Sequence, residues 1–368
     1  MKIKTILISI CLLTSILSKA QIRFVDSLSQ LPVPALNIYH ETGALIGFTD
    51  KNGNLQFLEG VDKNSISFVK ITAQHISYRT RDITLSTLDK QQVYKMTPRT
   101  NLIEDVVVSV KSKEVIVLKG YYRSLETFNL QHKYFSDGIV EFYIPLIKSK
   151  PKYDLIDYRI FIDSAVAADY HTKMGPFFQI ARVTKINKEK LVNRLAELEQ
   201  KKVDTNRTHL IKKGEDVGYL TISADGDNLQ FYIDKVLPDS VVKEKFFRIE
   251  ARIRQGVHIE NYASTALDHI TPFDLTSLYQ NVVGSIKRKS EYGHIPYEGL
   301  NEFYVLERRY ISSKEYKSIE KKLTKSIYET PDKSNYSTRF WEELDVHKIP
   351  PIPSGLKIRL GSSLRLVE

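Results

Sequence analysis

The chain has 368 residues, a formal net charge of +10 and a single cysteine. This length predicts two domains of roughly 100–200 residues each. The basic excess is mild, and its lysine clusters are short runs beside acidic neighbours, which argues against the sustained basic stripe of a nucleic-acid-binding protein. One cysteine cannot form an intramolecular disulfide, so the fold must be held by its core.

The first 20 residues have the pattern of a secretory signal peptide. Two lysines form a basic start, an apolar run follows from residue 6 to residue 16, and Ser18 and Ala20 are the small residues that a signal peptidase recognises. This predicts cleavage before Gln21. The apolar run is shorter than the roughly 20 residues that span a bilayer. The alternative is an uncleaved N-terminal anchor.

The predicted mature chain contains no cysteine, because Cys11 lies within this apolar run. A bacterial lipoprotein carries its lipid on a cysteine directly after the cleavage point, where this chain has Gln21. We therefore expect an exported, periplasmic protein that is not a lipoprotein, with peripheral association with the outer membrane as a compatible location. The expected partners are a cell-envelope protein or a hydrophobic or anionic envelope ligand, such as a lipid phosphate, and no nucleic acid.

Between residues 21 and 98 the chain consists of short alternating segments separated by turn residues, which predicts a module of short β-strands. The strands are predicted at residues 22–24, 35–39, 44–49, 55–57, 65–71 and 92–96. Asn52 and Gly53 separate two of them. This pair predicts a tight primed hairpin turn, because both residue types tolerate positive φ.

Four motifs in this region resemble the carboxypeptidase regulatory-like domain. They are residues 34–38 (PALNI), 47–55 (GFTDKNGNL), 76–78 (ISY) and 102–108 (LIEDVVV). Leu55 and Ser77 depart from the family pattern, which has Phe and Gly at these positions. The resemblance implies a seven-stranded, transthyretin-like β-sandwich, which serves bacterial envelope proteins as an accessory module and has no peptidase chemistry of its own.

These features divide the chain into a signal peptide (1–20), the sandwich (21–98), a linker (99–117) and a second domain (118–368). In the second domain, strands are predicted at residues 138–144, 157–162, 218–223, 229–233, 248–259 and 300–308. Long antiparallel strands with a few helices predict a mainly β chain whose second domain is α+β with a curved antiparallel sheet. This order of elements is similar to that of LolA-like lipoprotein carriers, in which a curved sheet holds acyl chains under helices.

Two helices are predicted in the second domain. Asn187 can cap a helix that runs to about residue 201. Ser312 begins a capping box that predicts a second helix ending at Pro331. The apolar stripe of the second helix contains the candidate binding residues. These residues either form a movable flap over a ligand or pack as an ordinary stripe of the core. They are Tyr316, Ile319, Leu323 and Ile327.

The segment from residue 336 to residue 353 contains Trp341, the only tryptophan, and a proline run. We expect it to pack back against its own domain, because burial is the commoner role of aromatic side chains. The alternative is a docking site for a partner.

The sequence contains no recognisable local motif for catalysis, metal binding or phosphate binding. No two of the nine histidines lie four residues apart, so a zinc helix of the H-E-x-x-H type is excluded. Phosphate-binding glycine loops and a nucleophile elbow are also missing. We therefore expect no catalytic residues, no cofactor and no metal. Catalysis by carboxylates alone leaves no local motif and stays open.

Three function hypotheses follow. The leading hypothesis is a non-enzymatic cell-envelope protein of the binding or structural type, with the sandwich as its accessory module. The second is a periplasmic carrier of a hydrophobic ligand, such as a lipid or a lipoprotein acyl chain, and this would require a continuous apolar cavity. The third is a carboxylate-dependent hydrolase, which would require two carboxylates about 5–9.5 Å apart.

Overall fold

The structure, a computed structural model, describes residues 22–61, 70–84, 92–99, 113–147, 149–175, 179–223, 225–236, 241–246, 249–329 and 331–368. The predicted signal peptide and the motif at residues 102–108 lie outside these ranges. The chain divides into two compact units, one comprising residues up to 98 apart from 42–45, the other comprising 42–45 and 99–368. About half of the described residues belong to strands, which are antiparallel in the two larger sheets, and helices are few, which confirms the predicted mainly β class.

The smaller unit has seven strands in its described residues: β1 (Arg23–Asp26), β2 (Asn37–His40), β3 (Leu45–Thr49), β4 (Leu55–Phe57), β5 (Lys70–Gln74), β6 (Arg81–Thr84) and β7 (Val93–Met96). Strands β1 and β7 pair in parallel, and the other five form a sheet in the order β4-β3-β2-β5-β6. Both sheets contribute to one apolar core, since Phe24 and Met96 from the first sheet and Ile38 and Ile71 from the second are fully buried in the same cluster.

The turn between β3 and β4 is a three-residue loop and not the predicted primed turn. Gly53 has a φ of 76°, whereas Asn52 is not in the positive-φ region. The N–H of Gly53 donates to the carbonyl of Asp50 at 2.9 Å, and the N–H of Asp50 donates to the carbonyl of Asn54 at 2.9 Å. The Asp50 carboxylate also accepts from the N–H groups of Asn52 and Asn54. These bonds favour the longer loop, in which only the glycine is left-handed.

We expect Gly53→Val to destabilise the smaller unit. A left-handed backbone costs a non-glycine residue about 1–3 kcal/mol, and the loss should exceed this. A Cβ at Gly53 would lie 2.3 Å from the carbonyl oxygen of Phe24. Gly60→Val is the matched control, because Gly60 has a φ of 85° and no atom within 4 Å of its Cβ position. Urea unfolding of both variants measures the difference, and equal losses would contradict a role for the close contact.

The larger unit contains one long antiparallel sheet. Its strands are β8 (Val115–Phe128), β9 (Gln131–Pro145), β10 (Lys152–Ile162), β11 (Glu199–Lys202), β12 (Arg207–Lys212), β13 (Glu215–Ile222), β14 (Leu229–Asp234), β15 (Val242–Phe246), β16 (Ile249–Tyr262), β17 (Leu275–Arg288), β18 (Ile295–Ile311) and β19 (Arg365–Leu366). The order is β11-β12-β13-β14-β16-β17-β18-β8-β9-β10-β19, and β15 pairs with the first part of β16. Strand β8 begins within the predicted linker, because Val115 and Val117 are buried against Tyr143 and Ile311.

Four α-helices accompany the sheet in the described part of the chain: α1 (Ser164–Met174), α2 (Leu191–Leu195), α3 (Ser313–Ile319) and α4 (Ser354–Arg359). The helix predicted from Asn187 to about residue 201 is wrong in length, because only α2 is helical. The Asn187 side chain accepts from the N–H of Glu189, and the residues after α2 leave the helix to pair as β11 with β12. None of the helices in the described ranges has the length and apolarity needed to cross a bilayer.

Residues 179–198, here called the covering loop, lie over one face of the large sheet. Val183, Ile186 and Leu191 of this loop are buried in the largest apolar cluster, together with side chains from nine strands of the sheet. Two sheet side chains hold the loop backbone. Gln280 bonds both the N–H and the carbonyl of Lys185, at 2.8 and 3.0 Å, and Asn301 donates to the carbonyl of Ala181 at 2.9 Å. Loop and sheet therefore share one core.

The tail segment, residues 331–353, packs against its own unit, which confirms the prediction for its aromatic and proline part. Phe340 is buried, and the guanidinium of Arg159 lies 3.8 Å from the centre of the Trp341 ring. Arg123 donates to the carbonyl of Pro350 at 2.6 Å. Two buried arginines of the sheet thus anchor the segment.

Candidate functional site

The predicted helix that carries the candidate flap residues ends early. Its capping box is confirmed, since the Ser312 hydroxyl accepts from the N–H of Glu315 at 3.2 Å and the Glu315 carboxylate accepts from the N–H of Ser312 at 3.2 Å. The α-helix stops at Ile319, and a 3-10 turn (Glu320–Lys322) follows. The predicted continuation to Pro331 is wrong, because Thr324 forms two backbone hydrogen bonds with Tyr153 of β10, which requires an extended chain.

The structure brings three of the four candidate residues together. Tyr316, Ile319 and Leu323 pack against β8, β9 and β18 in one cluster at the end of the sheet. Ile327 lies elsewhere, at the edge of the main apolar cluster. The burial of Tyr316 and Leu323 supports the core-stripe interpretation of these residues, and the flap interpretation stays a prediction.

A ladder of buried charges crosses four neighbouring strands on the face that the tail segment covers. Glu302, Arg123, Asp137 and Arg159 are directly opposite one another along the register, and each is at most 9% exposed. Arg159 bonds both oxygens of Asp137, at 2.9 and 2.7 Å, and Arg123 lies 3.3 Å from Glu302. Signs alternate along the ladder, so each charge lies beside a charge of opposite sign.

A second buried carboxylate lies under the covering loop. Glu260 of β16 has two basic neighbours, with Arg194 of α2 at 2.7 Å and the Nε2 atom of His258 at 2.6 Å, and it also accepts from the Tyr262 hydroxyl. Burial by itself would raise the pKa of Glu260. The charges and hydrogen bonds of His258 and Arg194 outweigh burial and lower that pKa to about 2. Glu260 is therefore ionised near neutral pH.

In the described residues, no group of three or more His, Cys, Asp or Glu side chains is placed to hold a metal ion. A group of basic side chains lies on β15, β16 and β17.

Strand register gathers these basic side chains. Lys245, Glu250 and Lys287 are directly opposite one another on the three strands, and Lys243 and Arg252 are opposite one another two residues further along. Opposite residues of antiparallel strands share a face. Three strands thus place four cations and one carboxylate on a single face.

All of these side chains except that of Lys243 line a groove, here called the basic groove, with a volume of about 540 Å3. Its lining residues are Lys245, Ile249, Glu250, Arg252, Lys287, Arg288, Lys289 and His294. Five of the eight are lysine or arginine and one is a carboxylate, which leaves a formal excess of four positive charges.

The single carboxylate compensates one arginine. Glu250 accepts from the Nε atom of Arg252 at 2.9 Å, and the Nε2 atom of His294 lies 3.6 Å away. The hydrogen bond from Arg252, with the nearby charges, lowers the pKa of Glu250. The carboxylate therefore stays ionised and paired with Arg252, and the rest of the groove is uncompensated.

The remaining four cations of the groove, Lys245, Lys287, Arg288 and Lys289, form no ion pair with a carboxylate in the described part of the chain. The Nε atom of Arg288 is buried and has no hydrogen-bond partner among the described residues. A buried donor without a partner costs stability unless a ligand or water accepts from it. Lysine and arginine donors converging on one groove suit a phosphate or carboxylate group.

Only part of this groove can be recognised in the sequence. The run from Lys287 to Lys289 was visible as a short basic cluster. Lys245 and Arg252 lie 35 or more residues earlier in the chain, and only the register of β15, β16 and β17 brings them beside it. The available signal was the recurrence of basic residues at every second position of neighbouring strands.

Comparison with known proteins gives no family for this chain. No family model and no curated protein matches it. A solved structure of lipovitellin, reported for its lipid–protein interactions, aligns at 8% sequence identity and a TM-score of 0.21. The alignment covers 64% of this chain and 30% of the lipovitellin chain. This chain thus spans less than a third of that structure, and a TM-score this low carries no conclusion about fold or ligand.

Proposed function

We propose that this protein is a non-enzymatic cell-envelope protein of the binding type, whose larger unit binds an anionic group of an envelope ligand in the basic groove. The observation that carries the proposal is the set of four cations around one groove without a carboxylate partner in the described residues. Export to the periplasm is part of the proposal and rests on the signal pattern of residues 1–20.

The smaller unit is proposed to be the accessory module, a transthyretin-like sandwich of the carboxypeptidase regulatory-like type. Seven described strands in two sheets around one core support this assignment. The motifs at 34–38 and 47–55 support it from the sequence. In this role the module is a spacer or a docking element for the larger unit.

Binding has more support than catalysis because two buried acids of the larger unit, Glu260 and Asp137, are paired with basic side chains. Glu260 is held between Arg194 and His258, and Asp137 is bonded at both oxygens by Arg159. A general acid must hold a proton near the working pH, and the lowered pKa of Glu260 is the reverse of that condition.

The carrier hypothesis has less support. The apolar face on which a hydrophobic ligand would lie is packed by the chain's own covering loop, through Val183, Ile186 and Leu191. A carrier would have to displace these side chains before it could bind.

The proposed function predicts loss of anion binding when the groove loses charge. We expect the double variant Lys287→Gln/Lys289→Gln to bind glycerol phosphate about tenfold more weakly than the wild type, a difference of about 1.4 kcal/mol. Binding should also weaken with added salt, because the screening length is about 8 Å at physiological ionic strength. Isothermal titration calorimetry measures both effects.

The matched control is Lys201→Gln/Lys202→Gln, which removes the same charge from two exposed residues of the edge strand β11. This control should bind as the wild type does. Equal binding by the two double variants would show that the groove is not the site.

A further inference from the structure

The hairpin between β17 and β18 carries a fully exposed aromatic side chain beside the basic groove. Tyr292 is 104% exposed relative to an extended reference, the highest value among the exposed large hydrophobic residues of the described chain. Lys287 of the groove donates to the carbonyl of Tyr292 at 3.4 Å. The N–H of Glu291 donates to the carbonyl of Arg288 at 3.0 Å. These bonds hold the tip of the hairpin next to the groove.

The cations and the tyrosine lie at the same end of the sheet. Ile249 at the start of β16 is opposite Arg288 at the end of β17, and Phe246 at the end of β15 is opposite Ile249. Lys289 follows directly on β17, at the start of the hairpin loop, and is exposed. The end of the sheet therefore presents a basic groove with an aromatic tip.

We propose that this end of the sheet docks on a bilayer of anionic phospholipids, with lipid phosphates in the basic groove and Tyr292 among the headgroups. The inference rests on the proposed function and adds the class of ligand. Tyrosine has an apolar ring and a polar hydroxyl, and it prefers the interface between lipid and water. Lysine and arginine near an anionic bilayer add electrostatic attraction that weakens with salt.

A bilayer fits these features better than a partner protein does. The centre of a protein interface is depleted in lysine and needs a packed cluster of apolar residues. Tyr292 instead stands between Glu291 and Gly293, and the groove beside it is lined mainly by cations. The tip offers one amphipathic ring and a fixed set of charges, which is the pattern of a peripheral membrane contact.

The test is co-sedimentation of the full chain with vesicles of phosphatidylcholine alone and with vesicles that also contain phosphatidylglycerol. We expect binding to the anionic vesicles only, and an affinity about tenfold lower for Tyr292→Ser. Tyr292→Trp should retain binding, because tryptophan has the same preference for the interface. Tyr328→Ser is the control, since Tyr328 is 48% exposed and is not a lining residue of the groove.

The outcomes distinguish failure of the membrane contact from failure of the proposed anion binding. If Tyr292→Ser binds anionic vesicles as the wild type does, the membrane contact is overturned. If vesicles do not bind but glycerol phosphate still binds in a manner sensitive to Lys287 and Lys289, the ligand is a soluble anion and only the lipid inference fails. If neither probe responds to these lysines, the proposed function fails as well.

Discussion

Replacing Glu260 by alanine should lower the free energy of unfolding by about 3–5 kcal/mol, the cost of removing one partner from a buried ion pair. Glu260 is 2% exposed and is the carboxylate partner of Arg194 and His258. Its removal leaves the guanidinium of Arg194 buried without a carboxylate. The loss should also loosen α2, which Arg194 connects to the sheet.

Urea unfolding of the full chain measures this loss, with Glu250→Ala as the control. Glu250 is also paired with an arginine, but that pair is partly exposed to solvent, which screens its charges. A far smaller loss is expected for the control. Similar losses of unfolding free energy for both variants would mean that the burial of Glu260 does not increase the cost of removing its carboxylate.

The same pair makes the stability of the wild type depend on pH. The folded pKa of Glu260 is about 2, below the value of about 4.3 for an unfolded glutamate. A lowered folded pKa contributes stability that is present above the unfolded pKa and is lost as the pH falls through the folded pKa. The stability advantage of the wild type over Glu260→Gln should therefore be full above about pH 4.3 and should shrink towards pH 2. A constant advantage across this range would contradict the assigned pairing.

The second large effect is expected for Leu323→Ala, at about 2–5 kcal/mol for a buried leucine. Leu323 is 7% exposed and packs in one cluster with Tyr316, Val117 and Tyr143. Its removal leaves a cavity between the turn after α3 and the end of the sheet. Ile358→Ala is the control, because Ile358 is 71% exposed and should change stability little.

This experiment also separates the two interpretations of the stripe. If Leu323 only packs the core, thermal unfolding should show the full loss, and native mass spectrometry should find no bound lipid in either protein. If the stripe covers a ligand, the variant should lose a co-purified lipid with a smaller loss of stability. The second result would favour the carrier hypothesis over the proposed function.

Local patterns in the sequence were sufficient to predict strands and helix starts that depend on contacts between residues a few positions apart. Alternation with period two predicted strands within β9, β10, β13, β14, β16 and β18. The capping box at Ser312 predicted the start of α3, because a cap depends on contacts between residues three positions apart. Strand β17 was not predicted, since polar residues such as Ser277, Gln280 and Asn281 occupy both of its faces and break the alternation. The side chain of Gln280 bonds the backbone of the covering loop, a contact that no local pattern indicates.

Contacts between distant parts of the chain decided the rest. The helix after Ser312 ends because Thr324 pairs with Tyr153, which lies 171 residues earlier, and backbone pairing outweighs helix propensity there. The basic groove depends in the same way on the register of β15, β16 and β17, which places Lys245 and Glu250 beside Lys287. The sequence by itself determined the mainly β class, the strand periodicity and the local caps, because these follow from interactions between near neighbours. Only the tertiary structure decided which charges are buried in pairs and which converge on the groove, because strand register is set by packing across the whole sheet.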